Sequence, residues 1–179
     1  MKTLIIHPKD KSTDFLSSIY KNIEDKTLVT ENTKRNDLRN LIETHDRILM
    51  LGHGTPSGLL SVGKFEYPYV IDHTFVDLLS NKNNSIFIWC NADRFVNRYN
   101  LKGFYSGMFV SEVSEAYFCK LGVVDRSIVE MSNNTFSEIL GSIINEDTEM
   151  IYNHVKDKYG EFSRNNLIGE YNNDRLYIS

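Results

Sequence analysis

Three short runs, Leu4-Ile5-Ile6, Ile48-Leu49-Met50-Leu51 and Ile86-Phe87-Ile88-Trp89-Cys90, are apolar at every position. This constrains the fold more than any other feature of the chain. A strand with one wet face alternates apolar with polar residues, whereas a strand covered on both faces does not, and such strands belong to parallel sheets sandwiched between helices. Between the runs lie stretches with helical spacing. Phe15, Ile19 and Ile23 recur every four residues behind the capping candidates Ser12 and Thr13; Leu38, Leu41 and Ile42 follow Thr33; Phe75, Leu78 and Leu79 follow Asp72. Thr27–Thr30 reads as a second strand and Phe104–Val110 as a fifth. Ser111 then caps a helix carrying Val113, Ala116, Tyr117 and Leu121, and Gly122 ends it. Helices centred on 136–144 and 150–159 precede a last strand at Leu176–Ile178. The alternation predicts a three-layer α/β/α sandwich with a mostly parallel central sheet.

A chain of 179 residues holds one core of this kind, so residues 1–179 are expected to form one domain. Twenty basic and twenty-four acidic side chains leave a formal charge of −4, without the basic excess of a nucleic-acid footprint. The run Ile86–Cys90 is far shorter than the roughly twenty apolar residues of a membrane-spanning helix, and Met1-Lys2-Thr3 leads into a strand rather than a signal sequence. No nucleic-acid or membrane partner and a cytoplasmic location are therefore expected. Two cysteines, Cys90 and Cys119, are too few for a disulfide framework.

In sheets of this type ligands bind beyond the carboxyl ends of the strands. That edge should gather His7, the turn Gly52-His53-Gly54, and Cys90 with the polar loop expected after it. A histidine and a cysteine at the ends of two strands can form a catalytic pair, the imidazole taking the thiol proton and the thiolate attacking a carbonyl. His53 and Cys90 fit this arrangement, and the amides of Gly54 and Cys90 are the natural donors to a developing oxyanion. Taken singly, such a cysteine also serves as a small core hydrophobe and such a histidine as a structural hydrogen-bonder. Cys119, beside Phe118 in an amphipathic stretch, reads as packing. His7, His45, His73 and His154 lack zinc-ligand spacing, so neither a metal nor a cofactor is expected. Asp10, Asp93 and Glu112 fall near the same edge, where they could bind a basic substrate side chain or act as helix caps and solvated loop charges. From Thr55 to Tyr69 two prolines with Gly58 and Gly63 indicate a long loop, with room for a hairpin around Gly63.

An apolar strand ending in His-Gly, then a helix, then an apolar strand ending in Cys resembles the core of the caspase-like cysteine peptidases, which include caspases, gingipains, clostripain, separase and CHAT domains. Here the pattern is Ile48-Leu49-Met50-Leu51-Gly52-His53-Gly54 and Ile86-Phe87-Ile88-Trp89-Cys90. The tail Asn166–Tyr171 with Leu176-Tyr177-Ile178 is similar to the C-terminal segment of CHAT and gingipain-type domains, where a Gly-Asp-Pro turn precedes a short strand; Glu170 and Tyr171 stand at the acid and the proline. The resemblance implies a small cysteine hydrolase, a thiol peptidase with His53 and Cys90 as its dyad and a peptide or protein as substrate. Asn91-Ala92-Asp93 after Cys90 carries neither the caspase signature nor the Ser-Gly of CHAT domains. That departure motivates the alternative, a catalytically inactive α/β module binding a small ligand or protein partner at the same edge.

Overall fold

The computed structural model describes residues 1–179. Six strands, β1 (Thr3–Ile6), β2 (Lys26–Val29), β3 (Arg47–Leu51), β7 (Ser85–Ile88), β8 (Gly103–Ser106) and β9 (Leu176–Ile178), form the central sheet in the order β2-β1-β3-β7-β8-β9. All neighbouring pairs are parallel except β8–β9, where the C-terminal strand closes one edge antiparallel. The expected mostly parallel α/β sheet is thus present.

Successive side chains of the buried strands feed opposite faces. Leu4, Ile6, Ile48, Met50 and Phe87 pack with Leu38 and Ile42 of α1 (Arg35–Thr44), Leu79 of α2 (Val76–Leu79), and Phe95 and Val96 of α3 (Ala92–Tyr99). Ile5, Leu49, Leu51, Ile86 and Ile88 pack on the other face. Their partners are Leu16 and Ile19 of a 3-10 segment (Asp14–Tyr20), Phe136 and Leu140 of α5 (Arg126–Ile143), and Ile151, Val155 and Tyr159 of α6 (Thr148–Ser163). This two-sided burial is why the strands read as unbroken apolar runs. No helix is long and apolar enough to cross a membrane.

Several local expectations are corrected. The stripe of Phe15, Ile19 and Ile23 sits largely on a 3-10 turn that lacks a side-chain cap. The run around Cys90 stops as a strand at Ile88, and the segment after it is not a polar loop but α3, entered through Asn91 in a left-handed conformation (φ 65°). Its outer half is solvated, which is why it reads as polar. The fifth strand ends at Ser106 rather than Val110. Its following helix, α4 (Val113–Phe118), is capped from Glu112 rather than Ser111 and ends before Gly122. The tail Asn166–Tyr171 forms no turn: it begins α7 (Leu167–Asn173), with Asn166 Oδ1 accepting the Gly169 amide at 2.8 Å. The loop after Thr55 contains a small antiparallel sheet of β4 (Gly54–Thr55), β5 (Gly58–Leu60) and β6 (Tyr69–Ile71), with Gly63 in the turn between the last two.

His7, expected at the functional edge, is instead fully buried under the 3-10 segment. Its Nδ1 lies 3.1 Å from the Tyr20 hydroxyl, and its Nε2 has no partner. Burial, reinforced by Lys9, lowers its pKa from 6.5 to about 4. The folded state therefore resists a proton that the unfolded chain accepts. Stability is complete above pH 6.5 and is lost as the pH falls toward 4, by roughly 3 kcal/mol if the whole shift is expressed. Urea unfolding of His7→Phe is expected to show a shallower fall over that interval than the wild type.

Candidate functional site

Register brings His53 and Cys90 together. Leu51 pairs with Ile88 across β3 and β7, so two residues further on His53 and Cys90 leave neighbouring strands level with each other and toward the same face. Trp89, between them in parity, turns to the opposite face and packs edge-on against Phe87 and Phe95, each at 5.7 Å between ring centroids. Gly52 makes the turn possible. Its φ of 140° is a conformation open to glycine, and its amide donates to Ile88 O at 3.0 Å, tying the two strand ends together. Gly54 has a different reason to be glycine: a Cβ there would stand 2.0 Å from Trp89 Cδ1. The indole occupies that space and donates from Nε1 to Thr55 O at 3.2 Å.

His53 is held from the loop after β1. Its Nε2 lies 2.7 Å from Ser12 Oγ and 3.1 Å from Asp10 Oδ2. The single hydroxyl hydrogen of Ser12 is directed to Asp10 Oδ1 at 2.7 Å, so Ser12 Oγ can only accept from the ring. Nε2 therefore carries the hydrogen. In the neutral ring the lone pair is then at Nδ1, to which no group of the protein is hydrogen-bonded. Burial pushes the Asp10 carboxyl up, but the Ser12 hydroxyl, His53 and the amides of Ser12 and Thr13 together bring it below its ordinary range. An ionised Asp10 is thereby fixed against the imidazole. Strand order 2-1-3 reverses its direction between β1 and β3, the switch point at which such sheets place ligands. Asp10, Ser12 and His53 stand there.

Cys90 is held from the opposite side. Its thiol donates to Phe109 O at 3.3 Å and lies 3.8 Å from Glu115 Oε1. No hydrogen bond joins it to His53. Burial, followed by the Glu115 carboxylate, pushes the thiol up to about 12, so it is neutral at physiological pH. Asn91 N donates to Gly107 O at 3.0 Å, whereas the Cys90 amide makes no hydrogen bond within the protein and is free to donate to a ligand.

His53 and Cys90 line one crevice with Thr13, Phe15, Leu16, Phe109 and Ser111. Its volume is about 20 Å³, little more than a water molecule needs. Phe15 and Ser111 also border a cleft of about 910 Å³ walled by Asp10, Lys11, Ser12, Glu112, Ser114, Arg126, Glu130 and Asn133 among others. Of the acidic candidates, Glu112 faces this cleft and Asp10 lies between cleft and His53. Asp93 reaches neither cavity. It stands in the first turn of α3 with one carboxylate oxygen buried and unpartnered, and so is not at the substrate-binding position expected of it. Cys119 ends α4 and packs beside Val110 and Ala116. No group of three or more histidine, cysteine or acidic side chains is arranged to hold a metal ion. Ser12 as a partner of His53 and Glu115 as a partner of Cys90 had no local signal in the sequence, since each contact joins segments far apart in the chain.

No protein-family model, curated protein or solved structure matches this chain.

Gly54→Ala should drive a methyl group into the Trp89 ring and lower stability by about 1–3 kcal/mol, read as an earlier urea midpoint. Because the Cys90 thiol is neutral, its alkylation by iodoacetamide in the native protein should keep accelerating about tenfold per pH unit through pH 9 without a plateau near neutrality.

Proposed function

We propose that this chain is a small caspase-like cysteine hydrolase acting on peptide or protein substrates, with Cys90 as nucleophile and His53 as base. One observation carries the reading: imidazole and thiol leave adjacent parallel strands in register and share a crevice beside the cleft at the switch point. Nδ1 of His53 takes the proton from Sγ of Cys90, and the thiolate adds to the scissile carbonyl to form a tetrahedral oxyanion. Collapse of that intermediate breaks the C–N bond as His53 returns the proton to the leaving amine, leaving a thioester that water hydrolyses. Asp10 and Ser12 hold the Nε2–H side of the ring throughout and stabilise the imidazolium. The free Cys90 amide supplies one oxyanion donor, with that of Gly54 as its proposed companion.

The small crevice and the neutral thiol favour a second reading, a non-catalytic module that holds a polar ligand in the larger cleft. The two are separated by incubating the protein with a proteome-derived peptide library and scoring new termini by mass spectrometry. On the hydrolase reading wild-type protein generates cleavage products, Cys90→Ala abolishes them, His53→Ala lowers the rate about 10²–10⁴-fold, and Asp10→Asn lowers it by less. Peptides retained on the protein but left intact, with no effect of Cys90→Ala, would establish the binding module instead.

A further inference from the structure

We propose that α4 is an autoinhibitory latch on the Cys90 site, with Glu115 clasping the thiol away from His53 until α4 is displaced. The proposal rests on the reading of Cys90 as the nucleophile, and it concerns how that nucleophile is restrained in the closed state, so that the activity of the wild type comes from the fraction of molecules with α4 lifted.

One carboxylate joins the thiol to the wall of the crevice. Oε1 of Glu115 faces Cys90 Sγ at 3.8 Å. Oε2 accepts from Ser111 N at 2.7 Å, Ser111 Oγ at 3.0 Å and Glu112 N at 3.1 Å. Ser111 borders both the crevice and the large cleft, so the loop tied down by Glu115 is the partition between them. A carboxylate next to a thiol opposes thiolate formation by like-charge repulsion, and the S–H is committed to the Phe109 carbonyl rather than to the imidazole. Both effects suppress the chemistry that the His53–Cys90 register would otherwise permit.

The two ends of the segment are anchored very differently. Val110 is fixed by the fully buried Asn172, whose Oδ1 accepts the Val110 amide at 2.7 Å and whose Nδ2 donates to the Val110 carbonyl at 2.9 Å. Asn133 Nδ2 donates to Ser111 O at 2.9 Å. Beyond that point α4 buries only Ala116, while Tyr117 and Phe118 are 76% and 79% exposed. Motion is therefore expected to hinge just after Ser111, with the preceding loop in place. Lifting α4 withdraws Glu115 and removes the negative charge beside the thiol. Cys90 can then rotate from Phe109 O toward Nδ1 of His53.

The test is iodoacetamide labelling of the folded protein at pH 7.5, with Cys90 and Cys119 quantified separately by peptide mass. Glu115→Gln keeps an oxygen that can accept the Ser111 and Glu112 amides while removing the charge. The latch predicts Cys90 labelling about tenfold faster or more in Glu115→Gln than in wild type, with Cys119 unchanged; one unit of thiol pKa is a tenfold change in thiolate. An unchanged Cys90 rate overturns the proposal. So does parallel acceleration of Cys90 and Cys119, which would mean that α4 has melted rather than that a carboxylate has been released. Adding His53→Ala distinguishes failure of the latch from failure of the dyad. Loss of the gain supports both, whereas a gain that persists leaves the latch standing and removes His53 as the base.

Discussion

Parallel pairing of strands buried on both faces is the constraint on which the rest of this structure depends. Once β1, β3, β7 and β8 lie side by side in one direction, their interiors have no room for polar chemistry, and every polar excursion must begin where a strand ends. Asp10, His53, Cys90 and Ser111 belong to four different connections, yet all emerge at one rim. The sheet interior supplies rigidity, and its register supplies the alignment of imidazole with thiol.

The two halves of the site are satisfied in opposite ways. On the β1–β3 side, Asp10 and Ser12 orient the imidazole by a hydrogen-bond chain with one consistent assignment, leaving a lone pair available at Nδ1. On the β7–β8 side, burial and then the Glu115 carboxylate favour the neutral form of the thiol, which donates to Phe109 O. The imidazole is oriented on one side of the crevice while the sulfur is restrained on the other. Because each half is held by its own loop, the coupling between them can be altered without disturbing the sheet.

Much of the fold was legible because its signals are local. Unbroken apolar runs marked β1, β3 and β7, and the glycines around His53 marked a sharp exit from β3. His53 and Cys90 were recognisable for the same reason, as residues with reactive side chains at the ends of apolar runs. The α3 helix was missed because only Ala92, Phe95 and Val96 of its eight residues are buried, too few to outweigh its charged outer face. The α7 helix was missed because its cap, Asn166, lies in a segment that also suits a turn. Glu115 was legible only as an acid at a helix start, which it is; its second role depends on Cys90, whose contact with it is created by the tertiary fold. Asp10 was placed at the right edge with a different role, since only the folded loop turns its carboxylate onto the ring of His53.

The most direct test of the central claim, that His53 and Cys90 act as one chemical unit, is covalent capture by a peptidyl acyloxymethyl ketone series, with the modified residue identified by mass spectrometry. The account predicts a single thioether at Cys90 of the folded protein, formed with loss of the acyloxy group and strongly diminished in His53→Ala. Modification at Cys119 with equal ease, or capture at Cys90 that is indifferent to His53, would contradict it.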